Sequence, residues 1–482
     1  MKDRKYDIKS FWISLIPIVI VGVALGLSVF KYDVEPHPAL LLGVVIVAFI
    51  SFLHKNPWIN IKNSILESIC KALPAIIILL IIGMLIGTWI ASGVVPALMY
   101  YGFYIFSATW FLPSILILSA FIAVVTGSSW TTAGTIGVAA IGIGQGLGVP
   151  VHIIAGAVVS GAFFGDKISP LSDSTNLTSS LFDVDIYQHI KHMLYTTMPS
   201  FIIALIIYTI LGFFVIESGG EIDVSAYQNH IAQTFNFSFW LVIPPIAVII
   251  LIILKVPAIP SLTIGVLLGG LMQIIVQGAN IGDVFTTLYQ GVNISTGWEE
   301  MDNLFSRGGM SSMYSVIALA IVALPFGGLM NDTGMLRTIV AKMTYFVNKR
   351  GPLVLTTIMT TIFVNIFGAN QYLAIILPGQ MYKDKYKLLN LHNKNLTRAL
   401  ESGGTITAPL IPWNSSGVFM ISVLGVSPLA YAPYAFICWI TLIIVIVFAF
   451  FNISMEKLPV FKNNEEDDCP HKFNFDKADI EE

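Results

Sequence analysis

Residues 165–176 read Gly165-Asp166-Lys167-Ile168-Ser169-Pro170-Leu171-Ser172-Asp173-Ser174-Thr175-Asn176, a polar and ionisable stretch set between long apolar runs. Charged groups at bilayer depth cost free energy, so where they occur they mark ion, substrate or proton pathways. Pro170 has no amide hydrogen and cannot continue a helix, so the span carrying these residues is broken. A broken, polar segment inside a membrane bundle is where secondary transporters hold their cargo. The expectation is therefore an all-α polytopic membrane protein with its site at this break.

The rest of the chain is consistent with a membrane solvent. Of 482 residues, 56% are hydrophobic and 11% charged, and mean hydropathy is +0.81, a composition foreign to soluble domains. The net charge of −3 conceals an acidic end: residues 456–482 hold nine acids and four bases, and without them the chain is slightly basic. That tail (453–482) is expected to be cytoplasmic and solvated. There is no dense basic patch, so nucleic acid is not expected as a partner. Cys70, Cys438 and Cys469 show neither metal nor disulfide spacing; Cys469-Pro-His471 is the one pair with metal-binding chemistry. Lys2, Arg4, Lys5 and Lys9 precede an apolar run at 11–30 that reads as a retained first span rather than a cleaved signal.

Apolar runs occupy 11–30, 39–53, 73–95, 112–147, 151–180, 195–216, 239–254, 258–276, 314–331, 352–380, 400–425 and 430–452. Two are too long for one crossing: at about 1.5 Å per residue they overshoot a core of about 30 Å. Both are interrupted near the middle, at Gly127-Ser128-Ser129 and Gly368-Ala369-Asn370. Lys55, Lys62 and Lys71 place the loop before residue 73 inside. Lys349 and Arg350 before 352–380, and Lys383, Lys385, Lys387, Lys394 and Arg398 after it, place both its ends inside, which makes it a re-entrant hairpin. The flanks of 112–147 contain no Lys or Arg, so that hairpin enters from outside, as the acidic loop at 217–238 also suggests. The trace has about ten crossings, two hairpins, and both termini in the cytoplasm.

Gly87 and Gly93 match Gly328 and Gly334 at an offset of 241, as Gly127 matches Gly368; Ser160-Gly161 matches Ser402-Gly403, and Pro170 matches Pro412, at 242. The copies begin on opposite sides of the membrane, so they are inverted repeats. The division read from this is 1–72 as N-terminal spans, 73–216 as the first repeat, 217–313 as connecting spans, 314–452 as the second repeat, then the tail. Segments 97–107 and 333–347 are short and read as interfacial amphipathic helices.

Each repeat then offers a hairpin tip and a broken span. The tips carry Ser128, Ser129 and Thr131, and Asn370. The breaks carry Ser169, Ser172, Asp173, Thr175 and Asn176, and Asn414, Ser415 and Ser416. Unwound backbone and neutral side-chain oxygens around one carboxylate suit a hard monovalent cation, with sodium the natural candidate. Asp173, Ser172 and Asn176 form the candidate sodium shell. These residues also suit the plainer work of capping helices and packing them closely. A carboxylate that takes either a cation or a proton couples the two by competition. Asp166, Asp173 and Glu401 are the candidates, although Asp166 could instead pair with Lys167, and Glu401 could cap a helix at the cytoplasmic face beside Arg398. His152 and His192 read as surface residues.

The run Gly165–Leu177 resembles the signature of the NhaC family of bacterial sodium/proton antiporters. Gly403-Gly404-Thr405 through Pro412-Trp413-Asn414-Ser415-Ser416 and Gly87-Thr88-Trp89-Ile90-Ala91-Ser92-Gly93 resemble it as well, and the likeness extends over roughly 70–450. The family includes sodium/proton and sodium-lactate/malate-proton exchangers. The resemblance implies inverted repeats with paired hairpins and broken helices, an elevator-like movement, and roles for Asp166, Ser169, Pro170, Ser172, Asp173, Thr175 and Asn176. Many relatives have threonine where Ser174 stands, and Thr178-Ser179-Ser180 is more polar than expected, which leaves the cargo open. A sodium-coupled exchanger of a small organic anion or an amino acid is the alternative. No HExxH, GxSxG or P-loop motif points to an enzyme. No cofactor is expected beyond transported sodium, and a homodimer through the unrepeated spans is plausible from the fold relatives.

Overall fold

The computed structural model describes residues 8–458, apart from 33, 219–223, 255, 295–297, 299–301, 303–304 and 345–348. Of the described residues, 81% are helical. Lys2, Arg4, Lys5, Cys469, His471 and nearly all of the acidic tail lie outside the described residues.

Three helices open the chain: α1 (Phe11–Leu25), α2 (His37–Leu53) and α3 (Trp58–Ala91). Glycine in the left-handed region at Gly93 (φ 86°) ends α3 and starts α4 (Val94–Ile105). Next come α5 (Ala108–Thr126), a tip at Gly127 and a returning arm. That arm comprises α6 (Ser129–Thr132), a π turn (Ala133–Gly137) and α7 (Val138–Gly146). Helix α8 (Val151–Ile168) stops before Pro170, and α9 (Asp173–Leu181) resumes after it. Helix α10 (Ile186–Ser218) follows, then α11 (Val224–Thr234), α12 (Ile243–Ile253), α13 (Ala258–Ile275) and α14 (Ile281–Gln290).

The first order of elements then recurs. Helix α15 (Tyr314–Asp332) ends near Gly334 (φ 74°), and α16 (Met335–Thr344) follows. Helices α17 (Arg350–Gly368) and α18 (Gln371–Leu388) form a hairpin, and α19 (Asn393–Gly404) breaks before α20 (Ser415–Leu424). A final helix, α21 (Phe436–Phe450), closes the fold.

The match is closer than glycine spacing indicates. The left-handed residue of the second tip is Ala369 (φ 51°), not Gly368. Gly127 therefore pairs with Ala369 at 242, and the single inserted residue falls before the hairpin tip. At this register Ser128 and Asn370 both cap the helix after a tip, and Ser172 and Asn414 both cap the helix after a break. Such caps give an otherwise orphaned amide a partner.

Among the described residues, seven helices are long and apolar enough to cross a membrane, or up to nine if two bent pairs each count as one span. The expected ten exceed this because α2, α13 and α21 are apolar but short, and because each broken span is divided. Helix α10 begins well before its apolar run at 195, because His189, His192 and Met193 lie on its buried face. Residues 224–234, expected as loop, are helical. Helix α16 buries Met335, Leu336, Ile339 and Val340 as an apolar stripe, as an amphipathic helix should.

Helices α2, α3, α13 and α15 pack together in one body; α5 on α8, and α17 on α18 and α19, form another. Close approach between α5 and α8 depends on Gly161 and Gly165: a Cβ at 161 would stand 2.5 Å from the Leu116 carbonyl oxygen. The equivalent Gly403 admits Thr361 of α17 in the same way. Small residues permit this contact where lipid supplies no hydrophobic drive between helices.

Candidate functional site

The two tips and two breaks meet at the centre of the molecule. Each tip packs on the break of its own half. Gly127 lies against the backbone of Leu171, and the Ser415 amide donates to the Ala369 carbonyl at 3.0 Å. Across the halves, Trp130 stacks on Phe419 of α20 with centroids 4.3 Å apart and planes 21° apart.

Between these elements and helices α3 and α15 lies a cavity of about 660 Å³. Asp166, Asp173, Ser128, Ser129, Thr131, Asn370 and Ser415 line it from the tips and breaks, and Lys71, Asn331 and Asp332 from α3 and α15. Asp166 is nearly buried at 7% exposure, whereas Asp173 is open to the cavity. One Asp166 oxygen accepts from the Ser129 hydroxyl at 2.6 Å and from the Ser129 amide at 3.2 Å. A charge-assisted pair of this kind fixes the carboxylate's position. The first break thus supplies one held carboxylate and one open to the cavity, and Asp332 of α15, which accepts from Ser64, adds a third.

Several candidates form the frame around that pair. The Ser128 hydroxyl accepts from the Thr131 amide and hydroxyl at 3.1 and 3.0 Å. Ser169 donates to the Val124 carbonyl at 2.7 Å, and Thr175 to the Lys167 carbonyl at 3.1 Å. Ser172 caps α9, and Asn176 spends its amide hydrogens on the Pro170 and Ser172 carbonyls at 2.9 and 2.8 Å. In the second half the Asn414 amide donates to Asn365 at 3.1 Å, and Ser416 donates to Gln371 at 2.9 Å.

Three expectations need correction. Asp166 and Lys167 do not pair. As neighbours at the end of a helix they point apart, and the Lys167 ammonium reaches Ser402 of the second half at 2.8 Å. Glu401 is not a surface cap beside Arg398 but is fully buried, accepting from Thr178 and Thr405 at 2.6 Å each. Arg398 instead donates to Ser454 and Met455 at the start of the tail. His192 is buried, not on the surface.

Asn365, Gln371 and Thr178 were not among the sequence candidates. Asn365 donates to the Gly404 carbonyl at 2.6 Å and to Thr407 at 3.0 Å, holding the second break open. Its signal was a lone amide inside an apolar run. Thr178 belonged to the unexpectedly polar Thr178-Ser179-Ser180.

This arrangement, with paired tips and broken helices around a polar cavity in a membrane bundle, defines a secondary transporter. The model of the Na+/H+ antiporter family matches residues 8–175 and 161–453, and the chain belongs to that family. It is 38% identical over 91% of its length to the Na(+)/H(+) antiporter NhaC of Alkalihalophilus pseudofirmus, covering 96% of that protein. It is 37% identical over 90% of its length to the malate-2H(+)/Na(+)-lactate antiporter of Bacillus subtilis, covering 93% of it. It is 36% identical over 92% of its length to the arginine/ornithine antiporter ArcD of Halobacterium salinarum, covering 93% of it.

Proposed function

We propose that this protein exchanges sodium for protons across the cytoplasmic membrane. Tips and broken helices would move together against the body formed by α2, α3, α13 and α15. The observation that carries this reading is the carboxylate pair. Asp166 is fixed by Ser129, and Asp173 faces the same cavity with neutral oxygens of Ser128, Asn370 and Ser415 nearby. A sodium ion would balance one of these two negative charges, with the neutral oxygens completing its shell. The division into repeats at 73–216 and 314–452 is supported by the repeated element order, and the cytoplasmic placement of both termini by the distribution of Lys and Arg.

Cavity volume favours a second reading. About 660 Å³ far exceeds one sodium ion, and Lys71, Asn331 and Gln371 add donors suited to a carboxylate. In that case sodium or protons would accompany a small organic anion or amino acid, as the names of two relatives suggest.

Proteoliposomes with an internal pH dye decide between them. Sodium pulses alone should move protons, and Asp173→Asn should abolish the movement while leaving the protein folded. Proton movement that begins only when malate, lactate or arginine is supplied would refute sodium/proton antiport and select the second reading.

A further inference from the structure

A second, smaller cavity of about 200 Å³ shares no lining residue with the first. Ile86 of α3 and Val316 of α15 face α7 and the end of α20 across it, and most of its wall is apolar. Among the described residues, Arg307 is the one charged side chain that lines it. The first cavity is lined by Lys71 of α3 and Asp332 at the end of α15, the ends that the Lys and Arg distribution places inside. Ile86 lies near the far end of α3, and Val316 near the start of α15, so the second cavity stands at the outer side.

Arg307 is unusual in that position. It is the only Lys or Arg in residues 276–313. Among the described residues its side chain has no hydrogen bond or ion pair, and its Nε is buried without a partner. An unpaired charge away from water is costly, and a buried orphan donor calls for an explanation such as a bound ion or water. The backbone fixes where this one stands. The Arg307 carbonyl accepts from the Val292 amide at 3.2 Å. Gly308 and Gly309 follow with φ of 91° and 79°, and the Gly309 amide donates to the Gly83 carbonyl of α3 at 2.7 Å. A Cβ on Gly425, the residue that ends α20, would stand 3.7 Å from an Arg307 Nη. The guanidinium thus reaches from the side of α3 and α15 to the end of α20.

The other polar side chains of the cavity are Ser312 and Ser422, and their hydroxyls donate to the Gly309 and Val418 carbonyls at 2.7 and 2.9 Å. With those protons committed, the guanidinium is the side chain with donors to spare. Its planar fork matches a carboxylate with two parallel hydrogen bonds. It neutralises one negative charge; a second carboxylate would meet an apolar wall unpaired. At about 30 Å³ for each water in the liquid, the volume admits a ligand of about six heavy atoms.

We propose that Arg307 and this cavity bind a short-chain monocarboxylate at the outer side, in a site separate from that of Asp166 and Asp173. The carboxylate pairs with the guanidinium, and the alkyl chain lies against Val138, Ile141 and Val316. Because α3 and α15 form one wall and α7 and α20 the other, the bound anion ties the two together at this end.

The test uses the full-length protein in detergent, in choline sulfate without sodium, with choline propionate as the probe and thermal unfolding as the readout. Propionate should raise the unfolding temperature saturably, and choline succinate at the same concentration should not. Arg307→Gln should weaken the propionate midpoint by at least about tenfold and respond to sodium as wild type does. Val316→Phe keeps the guanidinium and fills the cavity; it should weaken propionate as much, and it decides the matter if Arg307→Gln does not fold. No stabilisation of wild type by propionate, or an unmoved midpoint in either folded variant, overturns the proposal. Equal stabilisation by succinate or chloride also overturns it, because the contact is then an unselective one. Loss of propionate binding in Lys71→Gln but not in Arg307→Gln places the carboxylate in the first cavity and overturns it as well.

Discussion

Gly165→Ala tests the framework that holds the candidate site. The residue stands one position before Asp166, where α8 presses on α5. A Cβ there would overlap the Ala120 carbonyl oxygen and approach the Ala123 Cβ to 2.6 Å and the Val124 amide to 2.8 Å. These atoms belong to helix backbone and a side chain of one carbon, so none can swing aside. Ordinary contact requires α5 to withdraw by about 1 Å, and a gap of that size forfeits a quarter to a half of each dispersion contact it opens. Overpacking of this kind costs about 1–3 kcal/mol, which is roughly a 5- to 150-fold change in the folded-to-unfolded ratio. Helix α5 leads directly to the tip, so the shift also lengthens the bonds from Ser129 to Asp166, now 2.6 and 3.2 Å. Gly134→Ala is the internal control: its Cβ would meet only Ile82 Cδ1 at 3.5 Å, an ordinary contact. Thermal unfolding in detergent, with a sodium titration for each variant, reads both effects. Gly165→Ala should lower the transition temperature and weaken sodium stabilisation; Gly134→Ala should do neither. Equal behaviour of the two variants would refute the argument that helix approach positions Asp166.

Further outcomes follow from single contacts. Ser129→Ala removes the shorter bond to Asp166, worth about 1.5–3 kcal/mol for a charged acceptor, and should weaken sodium stabilisation at least about tenfold in a titration; an unchanged midpoint would exclude Asp166 from the cation site. Asn414→Ala removes the cap of α20 and the bond to Asn365; it should cost about 1–2 kcal/mol and raise hydrogen exchange across 415–424, whereas wild-type protection there would contradict the capping role. His392, in the loop before α19, has its pKa lowered by burial first and then by Lys394, although Glu456 opposes this, and its neutral ring caps α19 by accepting from the Lys394 amide at 3.2 Å. A histidine with a depressed folded-state pKa contributes fully above its unfolded value of about 6.5, and the contribution is lost as pH falls below that. Hydrogen-exchange protection in residues 390–395, taken relative to the intrinsic rate at each pH, should therefore fall as pH drops from 7 to 5, and constant protection over that range would refute it.

What the sequence made legible was whatever had a periodic or compositional signature. The length of the apolar runs, the placement of Lys and Arg, Pro170 and Pro412 were enough for the hairpins and breaks. The exact register was not legible, because glycine is a poor marker where alanine takes the same conformation: Ala369, not Gly368, turns the second tip. Asp166, Asp173 and their serines stood out because polar residues are costly in lipid. Their division of labour did not, since which carboxylate is held by Ser129 and which faces the cavity depends on how α8 rotates against α5. The directions of Lys167 and Glu401 were beyond reach for the same reason. Ser402 for Lys167 and Thr178 for Glu401 lie more than two hundred residues away, in the other half of the chain.

The two halves share a scaffold but not a chemistry. At the offset of 242, Asp166 faces Ala408 and Asp173 faces Ser415, so the carboxylates that the broken helices bring to the cavity both come from the first. At the same offset Ser172 matches Asn414, and both cap the helix that follows the break. The first break therefore combines a cap with charge, whereas the second uses Asn365 and Asn414 to keep itself open by neutral amides alone. An amide bonded to backbone carbonyls keeps its shape whatever the cation or proton content of the cavity, because neither of its groups titrates. The second half thus offers a wall of fixed geometry against which the first half changes charge. Glu401 is the exception: of its partners, Thr178 and Ser174 belong to the first half and Thr405 to its own. The acidic group of the second half is thereby tied to the charged break of the first as well as to its own.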